Sequence, residues 1–485
     1  ADPLFVDPSA DDYHLRVGSP CIDAGRDTSN ESYGAVLRDI DGDPRGFDGY
    51  SLADGSRGDG SDYDMGADEF YEEHQGFPSV WYVDKSNTSA TRDGRSWATA
   101  FTTIQEALDT AFLGSSGGSE VWVAAGTYDE ARANTIGSLM LKQGVWLYGG
   151  FAGYEVTREQ RDWVENATVI DGSKARGGQP AYHVVVGADE ALLSGFTITG
   201  GNANGTRWPY YQGGGMRNDG TSPTVENCIF TANRADRGSG GAMYNNDNQA
   251  VIKNCYFLDN TANHGSGGAV YNSGTAAVHV TNCTFVGNTA AADGAGLYAV
   301  DATTAVTNCI FWDNEGSPIG GGPDVTYSDV EGGYTGTGNI DLDPDFRSAA
   351  NGDYRLNASS PCIDAGRDTG QTAFGSVMRD YEGDPRGFNG YALTTVSRGD
   401  GSDYDIGADE YYSADPGRPA VWYVDKFNNS GVETGQEWGS AFTNLQDALD
   451  AAFLGNVDGG EIWVTEGVYS GRGNNDGAIV LHAGV

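Results

Sequence analysis

Between Gly213 and Asn314 one short phrase recurs: Glu226-Asn-Cys-Ile-Phe, Lys253-Asn-Cys-Tyr-Phe, Thr281-Asn-Cys-Thr-Phe and Thr307-Asn-Cys-Ile-Phe. It sets Cys228, Cys255, Cys283 and Cys309 at intervals of 27, 28 and 26 residues. Each cysteine is followed five residues later by an asparagine: Asn233, Asn260, Asn288 and Asn314. Arg217, Tyr244, Tyr271 and Tyr298 run in step at intervals of 27, each behind a glycine-rich turn. A period of this size, with short alternating strands, suits one turn of a parallel β-helix. Three strands and three turns close a coil, and coils stack about 4.8 Å apart. Equivalent residues then lie over one another. Cysteine and phenylalanine columns suit the interior, and an asparagine column suits a bend where amides hydrogen-bond along the stack.

The cysteine column has two readings. Neighbouring rungs bring the cysteines within disulfide range, but parallel stacked side chains bridge poorly. Small buried thiols are the expectation, with some bridging as the alternative. Cys21 and Cys362 are copies of each other and make no pair inside one unit.

A longer period contains the short one. Ser-Pro-Cys-Ile-Asp-Ala-Gly-Arg-Asp-Thr begins at Ser19 and again at Ser360, and the offset of 341 carries Val80 to Val421, Trp97 to Trp438 and Trp122 to Trp463. The offset holds without a gap to Gly126 and Gly467, then slips by one residue. Both ends of the sequence fall inside a repeating unit, which predicts a window cut from a longer tandem array. The expected organisation is the end of one unit (1–71), a linker (72–79), a complete unit (80–412), a second linker (413–420) and the start of a third unit (421–485). Within the complete unit we expect a cap and helix at 80–145, roughly ten coils at 146–366 and a closing Asp/Gly-rich segment at 367–412. Both linkers are short and contain proline, so neighbouring units are held close. The stretch from Trp422 to Val485 is expected to pack, as the start of the next unit, on the closing segment that ends near Tyr412.

One helix per unit is expected. Thr102-Thr-Ile-Gln-Glu-Ala-Leu-Asp-Thr-Ala-Phe puts Ile104, Ala107, Leu108, Ala111 and Phe112 on one face. Thr103 with Glu106 reads as a capping box and Gly114 as the stop. Such a helix is suited to plug the open end of a coil. The first strands are expected at Trp81-Tyr-Val, Glu120-Val-Trp-Val and Leu139-Met-Leu.

Composition narrows the function. Hydrophobic residues make up 38% and glycine 73 of 485, too apolar for disorder and without the triplet period of collagen. A formal charge of -41 argues against nucleic-acid binding, which needs a basic surface. It fits an exported protein that takes up divalent cations. No run of about 18 apolar residues spans a membrane.

Several motifs resemble a known group. Trp81-Tyr-Val-Asp, Ser96-Trp-Ala-Thr-Ala-Phe-Thr-Thr-Ile-Gln-Glu-Ala-Leu, Val121-Trp-Val-Ala-Ala-Gly-Thr-Tyr and Val145-Trp-Leu-Tyr-Gly-Gly-Phe-Ala-Gly-Tyr-Glu resemble the right-handed parallel β-helix (pectin-lyase-like) proteins. Asp353-Tyr-Arg-Leu, Ser360-Pro-Cys-Ile-Asp-Ala-Gly, Arg379-Asp-Tyr-Glu-Gly-Asp-Pro-Arg and Asp405-Ile-Gly-Ala-Asp-Glu resemble the choice-of-anchor Q domain. The resemblance implies an all-β chain of right-handed β-helix units, each with a capping α-helix. It also implies a secreted, surface-attached bacterial protein. This chain departs from the simple form in that a second β-helix cap follows the tail.

Catalysis is not expected. Hydrolases of this fold need clustered acid and base carboxylates. The six histidines (His14, His74, His183, His264, His279, His482) are scattered, and the pectin-hydrolase signature is absent. Metal has more support. Asp39-Ile-Asp-Gly-Asp recurs as Asp380-Tyr-Glu-Gly-Asp, and Asp59-Gly-Ser-Asp-Tyr-Asp recurs as Asp400-Gly-Ser-Asp-Tyr-Asp. Alternating acids about a glycine offer hard oxygen ligands suited to Ca²⁺. The candidate ligands are Asp39, Asp41, Asp43, Asp59, Asp62, Asp64, Asp380, Glu382, Asp384, Asp400, Asp403 and Asp405. The competing reading has these acids cap turns and pair with Arg38, Arg45, Arg57 and their copies. One segment, Asn202 to Gln212, breaks the rung rhythm. Its Trp208, Tyr210 and Tyr211 suit a neighbouring subunit, or a sugar ring as the alternative.

The expected function is a structural segment of an extracellular, cell-surface fibre or stalk whose partners are copies of itself. The alternatives are an adhesin that grips extracellular polysaccharide and a divergent polysaccharide lyase.

Overall fold

The computed structural model describes residues 5–7, 12–15, 21, 78–113, 118–274, 277–300, 303–369, 379–383, 386, 399–400, 404–411, 421–428, 438, 441, 443 and 461–465. The chain divides into two compact units, residues 1–123 with 142–147, and residues 124–141 with 148–485.

In the first unit, Val80–Val83 pairs in parallel with Ser119–Ala124, Val80 opposite Glu120 and Val83 opposite Val123. Tyr82 meets two indole rings edge-on, Trp97 at 4.8 Å and Trp122 at 5.7 Å between centroids. The helix runs from Ile104 to Leu113 and buries Ile104, Ala107, Leu108 and Ala111, the face its periodicity predicts. Thr103 Oγ1 donates to Glu106 Oε2 at 3.5 Å in its first turn. Lys142 ties the segment after the strands to this helix, with Nζ 2.7 Å from Asp109 and lying over the Phe112 ring.

The second unit is a solenoid of parallel ladders. One face runs through Leu192–Ser194, Thr224–Glu226, Val251–Lys253, His279–Thr281, Ala305–Thr307 and Asp324–Thr326. A second face is eight strands deep and includes Ile198, Phe230, Phe257, Phe285 and Phe311 in register. A third runs from Leu139–Met140 to Ile319–Gly321 and stacks Arg217, Tyr244, Tyr271 and Tyr298. Three coils carry a fourth, two-residue rung: Arg234–Ala235, Thr261–Ala262 and Thr289–Ala290. The 27-residue period thus closes on four short strands, since the residues after each Asn of the column also pair. Backbones press together where the chain turns into the third face. A Cβ on Gly241 would lie 2.2 Å from Gly268 O, and one on Gly268 would lie 2.3 Å from Ala295 O, so these turns require glycine.

Inside, Phe230, Phe257, Phe285 and Phe311 form one pile with centroids 5.2, 4.6 and 4.4 Å apart and rings within 11° of parallel. Cys228, Cys255, Cys283 and Cys309 are buried and free, so the column is thiols, not bridges. Their Sγ atoms lie 3.1–3.3 Å from the carbonyl two residues back. Burial pushes the thiols of Cys228, Cys255 and Cys283 well above the ordinary range, which makes them poor nucleophiles.

At the bend after the second face, Asn233, Asn260 and Asn288 are fully buried and make a continuous chain of bonds. Each Nδ2 donates to the next asparagine's Oδ1, at 3.3, 3.1 and 2.9 Å, and to a carbonyl of the preceding coil at 2.8 Å. Each backbone N–H donates to the same Oδ1 of the next rung. A second column, Asn218, Asn245 and Asn272, runs inside the third face with Nδ2–Oδ1 distances of 2.8 and 2.7 Å.

Beyond Asp329–Val330, the last strand of the second face, the chain leaves the ladders. Phe346–Ser348 and Asp353–Leu356 form an antiparallel hairpin. The following segment lies back along the outside of the second face. Leu356, Ile363, Ile406 and Tyr411 pack on Ile310 and Trp312, while Tyr381 and Ala408 pack on Tyr256, Ile229 and Trp163. Two asparagines that precede cysteines, Asn254 (φ 50°) and Asn308 (φ 53°), are left-handed and grip the tail. Asn254 Nδ2 donates to Arg379 O at 2.6 Å, and Asn308 exchanges two bonds with the Arg367 backbone.

Local structure recurs at the longer period. Val421–Val424 pairs with Glu461–Val464 as Val80–Val83 does with Ser119–Ala124, and Tyr423 meets Trp438 and Trp463 at the same 4.8 and 5.7 Å. Phe5–Asp7 with Asp12–Leu15 repeats the hairpin. Most of the Trp422–Val485 stretch, on which the expected packing against the tail rests, lies outside the described residues.

Asn260→Ala deletes two donated and two accepted bonds and strands the Asn233 N–H in the interior. We expect a loss of about 2–4 kcal/mol in guanidinium unfolding. A loss below about 0.5 kcal/mol would show that the column is not an important support.

Candidate functional site

The folded-back tail gathers acids that the local sequence does not place together. Asp380, Glu382 and Asp409 bring carboxylate oxygens within 4.8 Å of one another. Asp380 and Asp409 are buried, at 0% and 6% exposure. Backbone donors orient two of the three. Leu356 N–H donates to Asp409 Oδ2 at 2.7 Å, and Glu410 N–H to Asp380 Oδ2 at 2.9 Å. Glu382 Oε2 is cut off from solvent and has no hydrogen-bond partner. Burial, reinforced by Asp409 and Asp380, pushes Glu382 well above the usual carboxylate range. Burial likewise brings Asp409 to about 7, against the pull of its Leu356 hydrogen bond and of Arg347 and Arg386. Tyr381, between two of these acids in sequence, is fixed by Trp163 Nε1, which donates to its carbonyl at 2.6 Å, and by the Tyr256 ring at 4.9 Å.

Beside the cluster lies a buried ion pair, Arg386 with Glu410 at 3.3 Å. Arg386 also donates to the carbonyls of Gly407 and Ala408 at 2.9 and 2.7 Å. Asp405 accepts from the N–H groups of Asp364 and Tyr411 at 2.7 and 2.6 Å, and Asp400 accepts from that of Asp368 at 3.3 Å. Of the twelve candidate ligands, Asp380 and Glu382 therefore meet, while Asp400 and Asp405 hold backbone turns instead. Asp39, Asp41, Asp43, Asp59, Asp62, Asp64, Asp384 and Asp403 lie outside the described residues. Sequence spacing missed Asp409. Its signal was present in the Asp405-Ile-Gly-Ala-Asp-Glu motif, but only the fold-back brings it to Asp380.

The aromatic loop is mostly committed to its own unit. Tyr210 stacks on Tyr182 at 5.1 Å and Tyr211 is half-buried. Trp208 is 55% exposed, with the Arg217 guanidinium 5.0 Å from its ring. His183 is buried, with Nδ1 2.9 Å from Gly213 O, and burial lowers it to about 4.

These ladders and columns agree with a sequence model of the right-handed β-helix region, which matches residues 152–311. The fold is a right-handed parallel β-helix. The matched residues end before the tail, so they do not bear on its choice-of-anchor motifs. Similar solved structures include the pectate lyase Pel9A, 13% identical over 68% of this chain and 96% of that one, with a TM-score of 0.30. They also include a pectin methylesterase in complex with a hexasaccharide, 15% identical over 52% of this chain, TM-score 0.27. The chain spans 65% of that methylesterase's length. A pectin methylesterase from Aspergillus niger is 16% identical over 56% of this chain and 93% of that one, TM-score 0.26. No curated protein matches the chain.

The expectation of no catalysis is corrected by these findings. It rested on missing signatures, and the similar solved structures named here are a pectate lyase and pectin methylesterases. At such identities and TM-scores they assign no reaction or substrate to this chain. Among the described residues no helix is long and apolar enough to cross a membrane.

A further buried acid sits where the solenoid meets the tail. Asp329 accepts from Leu342 N–H and from the Cys362 thiol, both at 3.2 Å, and burial pushes it up to about 7. A carboxyl raised in this way is neutral in both states below about pH 4. Between there and about 7 the unfolded chain ionises first, so stability falls as pH rises. Asp329→Asn removes that penalty. Between pH 4 and 7.5 the parent should lose on the order of 3–4 kcal/mol more than the variant in denaturant titrations. Parallel pH profiles would contradict this assignment.

Proposed function

We propose that this chain is a structural repeat segment of a secreted bacterial surface fibre or stalk, assembled from tandem β-helix units. The supporting observation is recurrence at the 341-residue offset of both sequence and local geometry. Tyr82 between Trp97 and Trp122 returns as Tyr423 between Trp438 and Trp463, with matching ring distances. Asn87 Nδ2 to Ala100 O, at 2.7 Å, returns as Asn428 Nδ2 to Ala441 O at 2.6 Å. Such a repeat suits an extended array because stability grows by adding like units, each touching its neighbours. The short proline-containing joins limit the slack between units.

Electron micrographs of a product carrying several units should show rods whose length rises in proportion to unit number. Beads on a slack thread would overturn the fibre reading.

A second reading is a cell-surface adhesin for extracellular polysaccharide, and Trp208 favours it. Its exposed ring, with Arg217 beside it, offers a stacking platform for a sugar. On that reading Trp208→Ala cuts glycan-array binding at least tenfold and leaves the melting temperature unchanged. Equal binding by the variant removes Trp208 from any glycan site.

A further inference from the structure

The third face of the solenoid carries a column of phenols. Parallel strands in register set Tyr244 beside Tyr271 and Tyr271 beside Tyr298. Their ring centroids are 5.4 and 5.3 Å apart, and the planes lie within 6° of parallel. Strands of one ladder present equivalent side chains the same way up, so each ortho carbon faces its counterpart on the next ring. The phenylalanine pile stacks in the same manner, but it is sealed in the core and has no hydroxyl. Tyr244 is also buried, at 7% exposure, whereas Tyr271 and Tyr298 are half-buried and reach solvent.

The end of the column gives the last pair room to move. In the next coil Gly320 takes the place of the tyrosine. A Cβ there would lie 2.7 Å from Tyr298 Cδ2, so no side chain stacks on that side of the ring. Tyr298 therefore has a neighbouring ring on one side and bare backbone on the other, and rotation about its side-chain torsions tilts it toward Tyr271. Tyr244 has no such freedom, being held between Arg217 and Tyr271 in the same column.

We propose that Tyr271 and Tyr298 are a cross-linking site, at which one-electron oxidation joins the two rings as dityrosine and rivets adjacent coils. The oxidant is hydrogen peroxide acting through a peroxidase. Each phenol loses one electron and its hydroxyl proton, and the two radicals form a carbon–carbon bond between Cε atoms. Each bonded carbon then releases its hydrogen as a proton, and each oxygen takes a proton back. In all the pair gives up two electrons and two protons, which reduce one peroxide, with one O–O bond broken, to two waters. Neighbouring strands hold their backbones about 4.8 Å apart, within the reach of two tyrosine side chains joined edge to edge. The ladder between the coils can thus stay intact while a covalent tie is added to it. The tie is a property of a single unit and stands apart from whether units assemble into fibres or bind glycan.

The test treats the whole folded chain with a peroxidase and hydrogen peroxide. Cleavage before aspartate then separates Tyr271, the one tyrosine of 259–292, from Tyr298, the one tyrosine of 293–300. Mass spectrometry of the monomeric fraction should find these two peptides joined and two hydrogens lighter than their sum. If other tyrosines couple and this pair does not, the site is overturned. Tyr298→Phe keeps a stacked ring and removes the phenol, so the joined product should vanish while the melting temperature holds. Persistence of the product in that variant would also overturn the assignment. Oxidation of the unmodified protein in guanidinium, where the register is lost, should lower the yield at least tenfold. An equal yield from the unfolded chain overturns the claim that the stack directs the coupling.

Discussion

The in-register stacking of asparagines at one bend of the solenoid is the contact on which the rest depends. A bend buried between coils leaves its own N–H and C=O groups without partners inside that coil. Asn260 resolves this by reaching both ways, donating to Phe230 O on one side and to Asn288 Oδ1 on the other. It works only while the next coil brings an asparagine to the same place. A coil is therefore incomplete by itself, and the period is held near 27 residues because a slip would empty the column. The phenylalanine pile and the thiol column follow from that register.

The same stack creates a problem on its outer side. Ile229, Tyr256 and Ile310 point outward from strands whose inward residues are already phenylalanine. A face that is apolar on both sides needs covering, and the tail supplies the cover. The tail is rich in acidic groups, so its apolar contacts draw Asp380, Asp405, Asp409 and Glu410 inside with them. Burial of charge follows from coverage of a greasy sheet, and a cation or a proton must then answer it. The chemically unusual part of the molecule is thus a consequence of its most regular part.

Much of the fold was legible from short-range pattern. The Asn-Cys-x-Phe phrase placed the second-face strands, and the apolar positions from Ile104 to Ala111 placed the helix face. Both rest on periodicities of about 2 and 3.6 residues that the backbone itself imposes. The fourth rung at Arg234–Ala235 and its copies escaped, because two-residue strands carry no periodic signal. The tail's path escaped too, although the outward Ile, Tyr and Ile of the repeated phrase were a sign that something covers that face. For the candidate site, Asp380 and Glu382 were legible as alternating acids. Asp409 was not, since its link to them runs through contacts with Thr284 and Leu356 far away in sequence. The argument against catalysis failed for another reason: a missing motif says little on a fold that hosts several chemistries.

By itself, then, the sequence determined a coiled, stacked architecture, its interior columns and its echo at 341 residues, because these depend on which residues repeat and at what spacing. Only the tertiary structure decided which acids share a pocket and which merely cap turns. That choice depends on where a non-repeating tail comes to rest against a repeating surface. No local periodicity encodes that position; it is set by long-range burial of Tyr381, Ile406 and Tyr411 against the coils.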